Sequence, residues 1–270
     1  MPPMNDVTFR DIQKGLRELG LGQDSRVLAH ISLSAFGHVR GGAEAMAGAL
    51  TSTCGLVMMP AFTYQCQVYP LVGPPDNGMT YDDAQADNAE AELFTPDLPP
   101  HADMGVTAET LRRRSGARRS SHPLLSFTAV GPGAEDVLRA QSLAEPFGPI
   151  ARLAAMGGDV LLVGVDHTKN AAIHYAEARA GRKQFVRWAL TPEGIVACPA
   201  WPGCSDGFNA LAPHIGSFVR SARVGAARLQ RLPLADLIPA VVALLAGDPA
   251  ALLCDRPGCA RCETVRRVMA

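Results

Sequence analysis

No run of about 18 uninterrupted apolar residues occurs in the 270-residue sequence, so no segment is expected to span a bilayer. The opening MPPMNDVTFRDIQ has no apolar core of signal-peptide length, and the expected compartment is the cytoplasm. Charge of either sign is not in excess. The 25 Lys and Arg against 26 Asp and Glu leave a net charge of -1, so no global field draws the chain to nucleic acid or to an anionic membrane. Internal repeats and low-complexity tracts are also absent. In a reducing compartment the seven cysteines read as thiols, catalytic groups or metal ligands rather than disulfides.

What is present suits a globular chain that buries most of its apolar side chains, which with Cys, Tyr and Trp make up 47% of the residues. TFRDIQKGLRELG has helical spacing (Phe9, Ile12, Leu16, Leu19) and stops at Gly20. RVLAHISLS reads as a buried strand, AEAMAGAL as a helix and GLVMMPAFT as a second strand. This β-α-β opening predicts neighbouring parallel strands. A stretch rich in Pro, Asp and Asn follows, at about 64–104, a length that points to a functional or disordered loop. Further on, LLSFTAVG and DVLLVGV read as strands, and GVTAETLRRR, GAEDVLRAQ, PIARLAAMG and NAAIHYAEARAG as helices. KQFVRWALTPEGIVACPAW reads as a hairpin turning at Pro192-Glu193-Gly194, and the chain from about 211 to its end as mainly helical. The expected fold class is α/β, with a mixed central sheet flanked by helices. It forms a single domain over 1–270, with an insertion at about 64–104 and a cysteine-containing segment at about 247–270.

Five stretches could carry chemistry. His174 and Glu177 lie three apart, on one face of a helix that follows a buried strand. A carboxylate there would hold an imidazole in one tautomer, as a general base requires, and ligands gather at the carboxyl ends of such strands. The plain alternative is a solvated His and Glu on a surface helix. In HISLSAFGHVRGGAEAM, a strand ends in a Ser- and Gly-rich loop before a helix. Its N–H groups favour an anion, although neither the P-loop nor the G-x-G-x-x-G pattern is matched, and a tight turn explains it equally well. RRRSGARRSSHP holds five arginines between Arg112 and Arg119, either a solvated helix end or a phosphate site. Cys259 and Cys262 form a CxxC, with Cys254 just before it and Cys204 in a tight turn upstream. Four such thiolates would close a tetrahedral structural zinc site, the competing readings being a surface thiol pair or a redox pair. Cys66, just past the second strand, is a nucleophile or, more simply, a small buried hydrophobe.

Taken in order, HISLSAFGHVRGGAEAM, GLVMMPAFT, MGVTAETLRRRSGARRSSHPLLSFTAVG and VLLVGVDHTKNAAIHYAE resemble the aminoglycoside 3-N-acetyltransferase family, from about residue 8 to the end. RSSHP and the IHYAE helix are the most specific pieces, and the terminal GCARC resembles a cysteine pair found in part of that family. The resemblance implies the antibiotic N-acetyltransferase fold and direct transfer of acetyl from acetyl-CoA to an amine, most specifically an aminoglycoside, an activity of antibiotic resistance. It implies His174 as the base, Glu177 as its carboxylate and Asn170 as the residue before the helix. Ser32, Leu33, Ser34, Phe36 and Gly37 would hold the pantetheine and phosphates, with Arg119, Ser120, His122 and Ser126 as a second CoA-contacting stretch. An acidic run (Asp82, Asp83, Asp87, Glu90, Glu92, Asp97, Asp103) would suit a polycationic small-molecule acceptor. Ala171 and Ala172 depart from the family, which commonly has hydroxyl residues there. The alternative they raise is a CoA-binding or small-molecule-binding relative with lost or different acceptor activity. The expected assembly is a monomer or homodimer.

Overall fold

The computed structural model describes residues 6–81 and 88–269. In chain order the elements are α1 (Phe9–Glu18), β1 (Arg26–Ile31), α2 (Gly42–Thr53), β2 (Leu56–Pro60), β3 (Gln67–Val68), α3 (Val106–Arg112), β4 (Arg118–Arg119), β5 (Phe127–Val130), α4 (Ala134–Arg139), α5 (Gly148–Ala155), β6 (Asp159–Val163), α6 (Ala171–Arg179), β7 (Phe185–Thr191), β8 (Gly194–Trp201), α7 (Ala212–Ile215), β9 (Arg220–Val224), β10 (Ala227–Pro233), α8 (Leu234–Gly247) and α9 (Ala260–Met269). The main sheet runs β4-β5-β2-β1-β6-β10-β9, and β3-β7-β8 form a smaller one. β1 pairs in parallel with β2 and β6; every other pairing is antiparallel, so the sheet is mixed. Among the described residues no helix is long and apolar enough to cross a membrane.

The continuous apolar runs of β1, β2 and β6 follow from burial on both faces. Val27, Ala29 and Ile31 of β1 enter one core with Val57 and Met59 of β2 and Leu161 and Val163 of β6. Leu28, Leu56, Met58, Val160 and Leu162 enter the other. Successive side chains of a strand point to opposite faces, so each strand feeds both cores. Helix α2, which follows β1, packs into the first core through Met46, Ala49 and Leu50. Helix α6, which follows β6, packs into the second through Ala171, Ala172, Ile173 and Ala176. Adjacent parallel strands thus send their chains to opposite faces, which opens a crevice at their carboxyl ends. Gly164 lets the two loops meet there. Its φ is +64°, and a Cβ on it would collide with Ala35 and come within 3.0 Å of the Ser32 carbonyl oxygen.

One expectation is incomplete. The chain beyond about 211 holds α7, α8 and α9, but β9 and β10 form a hairpin between α7 and α8, and β10 lies directly beside β6 in the main sheet. Its ARLQRLP carries two arginines, and pairing with β6 on one side and β9 on the other makes it a strand. The Pro192-Glu193-Gly194 turn does join β7 to β8, with Thr191 and Gly194 as the closing pair.

Candidate active site

A cleft of about 980 Å³ opens at the carboxyl ends of β1 and β6. His30, Ser32, Leu33 and Ser34 line it from the first strand and its loop, and Gly164, Asp166, Lys169, Asn170, Ala171 and His174 from the second. Phe62, Tyr64, Phe147 and Trp201 supply aromatic walls.

His174 and Glu177 meet on α6, with Nδ1 3.1 Å from Oε2. The Glu177 side chain is 2% exposed and His174 is 13% exposed. A carboxylate can only accept, so Nδ1 carries the ring proton and Nε2 keeps its lone pair. Phe147 stacks along the imidazole (centroids 6.0 Å apart) and Phe208 closes on it at 4.7 Å. The far oxygen of Glu177 accepts from Arg182 Nη1 at 2.7 Å. Arg182 in turn donates through Nη2 to the carbonyls of Pro249 (2.8 Å) and Ala251 (2.7 Å). The buried carboxylate is therefore neutralised by a cation that the loop after α8 fixes.

Asn170 caps α6: its Oδ1 accepts from the Ala172 N–H at 3.1 Å. Its Nδ2 is buried and has no partner among the described residues. His30 Nε2 accepts the Ala171 N–H at 3.4 Å. Burial pushes its pKa down to about 3, with the nearby His174 adding to the effect, so it is neutral at physiological pH. Of the alanine pair, Ala171 lines the cleft whereas Ala172 is wholly buried in the core. His167 is buried and does not line the cleft.

Ser32, Leu33 and Ser34 line the cleft, with the two serine Oγ atoms 3.1 Å apart. Phe36 and Gly37 do not. Phe36 is 1% exposed in the core behind the loop, and Gly37, at φ +81°, closes its 3₁₀ turn on Ser34. The RSSHP stretch is also absent from the cleft lining, and most of its polar side chains bond to the backbone around them, while His122 Nε2 has no partner among the described residues. Arg119 donates to Ser126 Oγ (3.0 Å) and to the carbonyls of Ala61 (2.9 Å), Pro96 (3.1 Å) and Leu98. Ser120 Oγ accepts the Phe127 N–H at 2.8 Å, and Ser126 Oγ donates to Ala61 at 2.7 Å. His122 Nδ1 accepts the Leu124 and Leu125 N–H groups at 3.1 and 3.0 Å. Cys66 is fully buried away from the cleft, with its thiol pushed up to about 11 by burial, and is a core residue.

The cleft's charged groups come mostly from elsewhere than the acidic run. Asp82, Asp83 and Asp87 lie outside the described residues. Of the others only Asp103 lines the cleft, joined by Asp166 and Asp206 and by Lys169, Arg256 and Arg261. Burial acts to raise the pKa of Asp166, but hydrogen bonds from Thr168 and Asn209 outweigh it and hold it below its ordinary value. Sequence reading missed His30, Arg182, Asp166 and the two arginines. His30 could have been noticed as a lone imidazole in an otherwise apolar strand, and Arg182 as a cation directly after the Gly181 helix stop. At the far end of the chain, Cys204, Cys254, Cys259 and Cys262 do come together, all buried, with their Sγ atoms within 4.8 Å of one another.

A family model described as aminoglycoside 3-N-acetyltransferase matches residues 28–246. Aminoglycoside N(3)-acetyltransferase VII of Streptomyces paromomycinus is 38% identical over 187 residues, covering 67% of this chain and 64% of that one. Aminoglycoside N(3)-acetyltransferase VIII of Streptomyces fradiae is 34% identical over 269 residues, 86% of this chain and 89% of its own length. The structure of AAC-IIIb in binary complex with CoASH superimposes with a TM-score of 0.72 at 24% identity, over 90% of this chain and 97% of that one.

Proposed function

This chain belongs to the aminoglycoside 3-N-acetyltransferase family, and from that premise we propose that it moves the acetyl group of acetyl-CoA directly to the 3-amino group of an aminoglycoside, with His174 as general base. The observation that carries the reading is the His174–Glu177 pair at 3.1 Å, which ties up Nδ1 and leaves Nε2 for a proton in a cleft. An amine at neutral pH is largely protonated, so it must lose a proton before or during attack on the thioester carbonyl. The amine therefore attacks in its uncharged form, and His174 Nε2 takes a proton from its nitrogen as the N–C bond forms, with Glu177 facing the imidazolium. His174 then returns a proton to the departing thiolate as the C–S bond breaks. Leu33 and Ser34 open a 3₁₀ turn, so their N–H groups have no acceptor within it and are available to the carbonyl oxygen as it becomes an oxyanion. The Asn170 amide nitrogen, buried with no partner among the described residues, is a further donor for the acetyl or the acceptor. Asp103 and Asp166 supply the negative charge that a polycationic acceptor requires, and Lys169 and Arg261 suit phosphates.

A thiol-release assay with acetyl-CoA and a panel of aminoglycosides tests the reading. Turnover by the wild type and its collapse in His174→Ala are expected. Full turnover by His174→Ala removes the base assignment. If CoA raises the melting temperature but no amine consumes acetyl-CoA, the chain is a CoA-binding relative without transfer activity.

A further inference from the structure

We propose that Cys204, Cys254, Cys259 and Cys262 bind one zinc ion, a closed structural site that clasps the C-terminal segment to the wall of the cleft. The four come from three separate places: the turn after β8, the loop after α8, and the start of α9. Yet their Sγ atoms lie within 4.8 Å of one another, and those of Cys204 and Cys254 are 3.9 Å apart. With Zn–S bonds of about 2.3 Å, the edge of a regular ZnS₄ tetrahedron is about 3.8 Å. Four thiolates are soft ligands, and a tetrahedral sulfur set favours zinc among common divalent ions.

The packing separates this cluster from ordinary buried cysteines. Cys54, Cys66 and Cys198 each sit among aliphatic and aromatic side chains of the two main cores. The other four pack on one another as a cluster of their own, with Leu253 as the partly buried apolar neighbour. A fold gathering small hydrophobes has no reason to isolate four thiols. The surroundings also suit sulfur that carries negative charge. The Asp206 N–H points at Cys204 Sγ (3.5 Å), the Cys254 N–H at Cys262 Sγ (3.4 Å), and Arg256 Nη2 at Cys259 Sγ (3.9 Å). Such donors offset the net −2 of a zinc tetrathiolate.

The clasp has a consequence for the cleft. Arg256 and Arg261 both line it, and each stands close in sequence to a ligand cysteine. Arg261 donates to the Gly203 carbonyl at 3.0 Å, next to Cys204, and Arg256 pairs with Asp206 at 3.1 Å. Four protein ligands leave no position for water, so the metal orders this wall without entering the reaction.

Metal analysis of the full-length protein, purified under reducing conditions without chelator, is expected to find about one zinc per chain. Titration of the wild type with a mercurial should release that zinc in step with modification of four thiols. This readout does not depend on whether a Cys262→Ser variant folds. After chelation, trypsin should cut at Arg261–Cys262, a bond it leaves intact in the metal-loaded protein. Absence of zinc, iron in its place, or zinc release without thiol modification overturns the proposal.

Discussion

His174 and Glu177 stand one helical turn apart with Nδ1 3.1 Å from Oε2, and the carboxylate of the pair is the more deeply buried partner. The pairing gives the imidazole a direction: its protonated nitrogen faces Glu177, and the ring is held by Phe147 and Phe208. If His174 is the base, His174→Ala lowers kcat by about 10²-fold or more while the KM values change little. Steady-state kinetics with acetyl-CoA and a turned-over amine measure both.

Glu177→Gln separates orientation from charge. An amide can donate to Nδ1, which puts the ring proton on Nε2 and removes the base. The expected result is a kcat lowered by about 10²-fold with the KM values little changed. An unaltered kcat argues that Glu177 only fills space.

Arg182→Met leaves Glu177 buried without its cation. A loss of about 3–5 kcal/mol in urea unfolding is expected, and the double variant with Glu177→Gln should recover part of it. Additive losses would mean that the two side chains are not coupled.

Two histidines make the fold acid-sensitive. Burial holds His30 down at about 3 and His122 at about 4, against an ordinary value of 6.5. Below pH 6.5 the unfolded chain binds protons that the fold refuses. Stability is therefore full above that pH and falls as pH drops, by up to about 1.4 kcal/mol per pH unit for each histidine. Melting temperatures between pH 7 and 5 should decline. His122→Asn, whose amide oxygen can accept from Leu124 and Leu125, should decline less.

The alanine pair and Arg119 give contrasting substitutions. Ala172→Thr puts a hydroxyl and a methyl into a closed core and should cost about 1–3 kcal/mol. Ala171→Ser, at the cleft, should leave stability nearly unchanged and move the acceptor KM. Arg119→Met strands the carbonyls of Pro96 and Leu98, while Ala61 keeps its Ser126 Oγ donor, so a loss of about 1–3 kcal/mol is expected, with the KM for acetyl-CoA unchanged. A raised KM at full stability would return Arg119 to the coenzyme site.

Local sequence pattern determines much of this protein. The buried runs of β1, β2 and β6, the helix stops at Gly20 and Gly181, the turn at Pro192-Glu193-Gly194 and the i, i+3 spacing of His174 and Glu177 depend on near neighbours in the chain. Tertiary structure decided what depends on distant ones. It made β10 a sheet strand by laying it against β6, and it set Arg119 of the RSSHP stretch against the carbonyls of Ala61 and Pro96, far off in the chain. It brought the Pro249 and Ala251 carbonyls to Arg182, and His30 to the N-terminus of α6. It also drew four cysteines, spread along the chain from Cys204 to Cys262, into one cluster. The division has a physical cause. Hydrophobic period and capping are set within one or two turns, whereas the partner of a buried polar group is whatever the packed sheet brings within about 3 Å.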